Sequence, residues 1–142
     1  MKTLRLAGIL GAALWLAPVP AFAADWDQAR VTELAGKLDA AVKALLADPG
    51  VDARQASAMQ QRRHHSAIVS VREFGRNATD LALDLTKGRG REQTLGRWEQ
   101  MRMVGDDVRF YAEESSLPGS VRTKAQAVRG LIDEIAPFYA GD

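Results

Sequence analysis

Residues 67–85 read AIVSVREFGRNATDLALDL, and their spacing decides the fold. Ala67, Val71, Phe74, Ala78, Leu81 and Leu85 recur at alternating steps of four and three. Such a stripe lies along one face of an α-helix, whose residues advance about 100° each, and not on one face of a strand. Immediately after it, Lys87-Gly88-Arg89-Gly90-Arg91 reads as a glycine turn that ends the helix.

The same pattern extends outward in both directions. Helix 1 is expected from about Trp26 to Ala47, with Leu34, Leu38, Ala41 and Leu45 facing inward and Asp48-Pro49-Gly50 ending it. Helix 2 is expected to start near Asp52, where Asp52 and Gln55 have the spacing of a capping box. Helix 3 is expected from about Arg91 to Ser115, presenting Leu95, Trp98, Met101, Val104, Val108 and Tyr111. After the break at residues 115–120, helix 4 runs to about Tyr139 with Val121, Ala125, Val128, Ile132, Ile135 and Tyr139 on one face. Strand signals and fixed-period repeats are absent. Short connections make successive helices antiparallel neighbours, so the expected fold is all-α, an up-down-up-down antiparallel four-helix bundle.

One mismatch of length needs resolution. Helix 2 running from 52 to 87 would exceed about 50 Å, against about 35 Å for its partners. The polar segment 52–66 (DARQASAMQQRRHHS) is expected to kink and cross the top of the bundle. If it instead prolongs helix 2, an apolar strip of helices 3 and 4 is left uncovered and open to a partner.

At the amino end, Lys2 and Arg5 precede the apolar run Leu6–Leu16, followed by Pro18, Pro20 and Ala21-Phe22-Ala23. Charge, apolar core and small-x-small triplet are the layout of a secretory signal peptide, here 1–23, removed to leave one domain of 24–142. The expected location is the periplasm of a Gram-negative bacterium, or outside the cell, with no membrane insertion after cleavage. The chain contains no cysteine, which excludes a lipoprotein anchor, a thioether-attached haem, a thiolate metal site and disulfides. Without Lys2 and Arg5 the count is 17 basic against 18 acidic residues, and no basic stripe suggests nucleic-acid binding.

Three constellations could carry chemistry. The only histidines, His64 and His65, are adjacent and diverge on a helix. If helices 2 and 3 pair around the turn near residue 89, positions whose numbers sum to about 178 lie level, which brings Glu113 and Glu114 beside them. Two imidazoles and two carboxylates would suit zinc or copper, although His64 is also in register with the core stripe, as a hydrogen-bonded boundary residue would be. Lys87, Arg89 and Arg91 beside a helix N-terminus form a candidate anion site. Gly75, Gly105 and Gly130 fall near one plane of helices 2, 3 and 4, either as a ligand slot or as points of close helix approach. No nucleophile is set in a catalytic frame, and adjacent acids on a helix diverge, so no enzyme activity and no cofactor is expected. The expected role is a binding, adaptor or scaffold module for another periplasmic protein, through residues 52–66 or 87–91, with a homodimer as a further arrangement. The alternative is a metal- or small-ligand-binding bundle.

Overall fold

The computed structural model describes residues 24–52, 57–114 and 117–140, except for the side chains of 107, 108 and 110–114. Among the described residues there are four α-helices and no strand, consistent with a four-helix bundle. They are α1 (Gln28–Leu46), α2 (Ala58–Thr86), α3 (Arg91–Glu114) and α4 (Gly119–Tyr139), with a short 3-10 turn at Pro49–Asp52. The expected signal peptide lies outside the described residues. No described helix is long and apolar enough to cross a membrane.

Each helix buries part of the stripe its spacing predicts, with Ala41, Ala67, Val71, Ala125 and Ile132 only partly buried. Leu34, Leu38 and Leu45 of α1 are buried together with Val31, Ala35 and Val42. From α2 come Phe74, Ala78, Leu81 and Leu85; from α3, Trp98 and Met101; from α4, Val121, Val128, Ile135 and Tyr139. Removing a side chain such as Leu38 or Leu81 from water is worth about 1.5–3 kcal/mol, so this shared core holds the helices together. Leu95 and Val104 are only partly buried, while Thr94 is fully buried. The expected inward residues Val108 and Tyr111 lie outside the described side chains.

Helix α2 corrects two expectations. Its N-cap is Ser57, whose hydroxyl accepts a hydrogen bond from the Gln60 amide, and not Asp52, which belongs to the 3-10 turn. Nor does segment 58–66 break from the helix: α2 is continuous over 29 residues, about 43 Å, against 19 residues and about 28 Å for α1. The physical reason is visible at His64, which is 5% exposed and whose Nε2–H donates to the Val51 carbonyl at 2.5 Å. Together with buried Ile68, this contact ties the upper part of α2 to the 3-10 turn, so the helix has an inner face beyond the reach of α1.

At the other end α2 closes with a Schellman turn. The amides of Gly88 and Arg89 donate to the carbonyls of Leu85 and Asp84, and Gly88 takes φ +81°, which a residue with a Cβ rarely adopts.

Packing is uneven around the bundle: α2 lies against α1 and α3, and α1 against α4, but α3 and α4 make little contact with each other. What joins α3 to α4 is concentrated at one end. The hydroxyls of Thr94 and Tyr139 are hydrogen-bonded at 2.8 Å. Trp98 stacks on Tyr139 at 4.9 Å with 11° between ring planes, and Trp26 meets the same ring edge-on at 5.3 Å. Arg91 caps the end of α4 by donating to the Ala140 carbonyl at 2.7 Å. Burial pushes the Tyr139 phenol above its ordinary pKa, with the Thr94 hydroxyl acting in the opposite sense.

Candidate functional site

Away from this pinned end, the described residues of α1, α2, α3 and α4 line a cleft of about 370 Å³. Its floor is apolar: Val42 and Leu45 of α1, Val71 and Phe74 of α2, and Leu117, Ala125, Val128 and Ile132 at and along α4. Its rims are not. Arg102, Asp106 and Arg109 stand on α3, and Arg122, Arg129 and Asp133 on α4. Residues seven apart lie on one helical face, so each rim offers a pair of guanidinium groups to the same opening. Among the described residues, four arginines and two aspartates line the cleft.

The sequence builds this opening locally. Gly105 leaves the α3 wall without a side chain: a Cβ there would sit 3.3 Å from the Phe74 ring. On the α4 side Ala125 is too small to cross the gap. Among the described residues Arg102 and Arg129 make no ion pair, whereas Arg122 donates to the Leu117 carbonyl at 3.4 Å. Helices α2 and α3 pair in the register expected from sequence, with Phe74 opposite Gly105 and Asp80 and Asp84 opposite Arg97.

The three constellations found in the sequence fare differently. His64 is buried against Val51 while His65 is exposed, so the two imidazoles face different surroundings. The side chains of Glu113 and Glu114 lie outside the described residues. Among the described residues no group of three potential metal-binding side chains forms. In the basic turn, Lys87 is exposed, but Arg89 pairs with Asp84 at 3.2 Å and Arg91 is spent on the α4 carboxyl end. Asp84, only 8% exposed, also receives Arg97 Nε at 3.0 Å, so Arg89 is held in an ion-pair network within the fold.

The glycines separate as well. Gly75 marks close approach of α1 and α2, because a Cβ there would meet Val42 at 3.1 Å and Leu46 at 3.4 Å. Gly105 lines the cleft, and Gly130 is exposed with open space around it.

At the mouth of the bundle nearest the cleft, Asp48 links the end of α1 to the start of α4. It accepts from Lys124 Nζ at 2.7 Å, from the Gly50 amide at 2.8 Å and from Ser120 Oγ at 3.4 Å. The Lys124 ammonium, followed by the Gly50 amide, holds its carboxyl below the usual range.

The four rim arginines were not among the residues singled out from sequence. Their signal is present as Arg102-x6-Arg109 and Arg122-x6-Arg129, but it becomes a site only when the two helices are placed face to face. No protein-family model, curated protein or solved structure matches this chain.

Proposed function

We propose that the mature chain, residues 24–142, is an exported, non-enzymatic binding protein of the periplasm, and that it binds through the α3–α4 cleft. The observation that carries this reading is a cleft of about 370 Å³ with an apolar floor, lined by all four helices, away from the end where α3 and α4 are joined. Small-molecule sites are concave, mainly apolar, about 300–1,000 Å³ in size and fitted with a few polar groups. The basic turn at 87–91 serves this role less well, because Arg89 and Arg91 are engaged within the fold.

We take the topology as up-down-up-down. In support, Gln28 at the start of α1 donates to the Leu85 and Arg89 carbonyls at the end of α2. Asp48, just past α1, holds Ser120 and Lys124 at the start of α4, and Arg91 at the start of α3 reaches Ala140 after α4. Export rests on the charge, apolar run and small-residue triplet of residues 1–23.

Two experiments test the reading. Titration with Nile red, an uncharged apolar dye, is expected to give one saturable site per chain that disappears in Ala125→Phe, where the ring fills the floor. Dye that fails to saturate, or binds the variant equally, rules the cleft out. For export, mass spectrometry of periplasmic protein is expected to find an N-terminus at Ala24; an uncleaved Met1 rejects it.

A further inference from the structure

The cleft combines two features that one ligand chemistry would satisfy together. Its floor of Phe74, Val128 and Ile132 excludes hydrogen bonding and favours a hydrocarbon body. On its rims Arg102 and Arg129 stand on different helices, exposed and without ion-pair partners among the described residues. Guanidinium groups bind carboxylates through paired, charge-assisted hydrogen bonds and tolerate partial desolvation better than ammonium groups. Asp106 and Asp133 would repel an anion, and among the described lining residues they stand against four arginines.

Resting on the cleft reading above, we infer that the ligand is a single-chain amphiphile with a carboxylate head, a free long-chain fatty acid. The acyl chain lies along the floor and the head sits between the arginine rims. A neutral lipid leaves the rims unused, and a cationic one is repelled by them. A partner helix or a second copy would have to bring acidic residues to Arg102 and Arg129 together; this chain's most acidic stretch, 98–119, contains most of the α3 wall itself.

The test uses the purified chain, with dodecanoate, dodecanol and dodecyltrimethylammonium below their micelle concentrations, followed by calorimetry and by displacement of Nile red. Dodecanoate is expected to bind one to one and at least about tenfold more tightly than dodecanol, since a hydrogen bond to a charged group is commonly worth a factor of ten or more. Arg102→Gln with Arg129→Gln is expected to erase that preference, so that dodecanoate binds no more tightly than dodecanol in the same variant; both residues are exposed, and circular dichroism checks that the helices remain. Equal affinity for dodecanoate and dodecanol, or tighter binding of the cation, overturns the inference and leaves the cleft reading standing. Loss of Nile red binding in the wild type removes both. A ligand-free dimer that Ala125→Phe converts to monomer gives the cleft to a second copy and also overturns it.

Discussion

Single residues divide here into those whose shape is forced and those whose shape is free. Gly88 is forced: at φ +81° an alanine would be strained by about 1–2 kcal/mol, and Gly88→Ala should lower the denaturation midpoint accordingly. Gly130 is free. With nothing near its absent Cβ, Gly130→Ala should stabilise by up to about 1 kcal/mol and raise the melting temperature by roughly 4 °C. Gly75→Ala should gain less or lose, because its methyl would press on Val42. Asp48 supplies a pH signature. Its folded pKa lies below the ordinary 3.8, so its contribution is complete above that value and is lost as pH falls through the lower folded value. Acid titration followed by circular dichroism should therefore show a shallower loss of stability below about pH 4 in Asp48→Asn than in the wild type, from a lower starting point at neutral pH. An unchanged slope would mean that the Lys124 contact does not bias folding.

At the scale of elements, the stripes were legible because burial acts on every third or fourth residue and leaves a periodic record. Leu34, Leu38 and Leu45, or Phe74, Leu81 and Leu85, could be placed without coordinates. The start of α2 was not legible in the same way. Asp52-x-x-Gln55 and Ser57-x-x-Gln60 both satisfy the capping pattern, so the sequence alone does not choose between them; in the fold Asp52 closes the 3-10 turn and Ser57 caps the helix. Ser57→Ala should cost about 1 kcal/mol and speed amide exchange at Gln60, with little effect near Leu81. The rim arginines were illegible for a further reason. Within the sequence, each is an exposed cation on a helix surface, and the acidic balance of 98–119 conceals Arg102 and Arg109. Their meaning depends on which helix stands opposite, and no local pattern records that.

For the whole molecule, the uneven closure of the bundle governs how binding would be felt. A ligand that contacts α1, α2, α3 and α4 together and binds only the folded chain should add about 2.7 kcal/mol at a hundredfold excess over its dissociation constant. Thermal unfolding with and without dodecanoate should display this as a concentration-dependent rise in melting temperature. Tyr139→Phe addresses the opposite end: losing its hydroxyl contact with Thr94 should cost about 1 kcal/mol in denaturant titration. The pinned corner at Thr94, Trp98 and Tyr139 has a mechanical consequence. From Thr94 to Arg109 the α3 axis is a lever of about 22 Å. Rotation of only about 5° at that corner moves the arginine rim by about 2 Å, so an aromatic hinge fixed by one hydroxyl pair would set how wide the mouth can open.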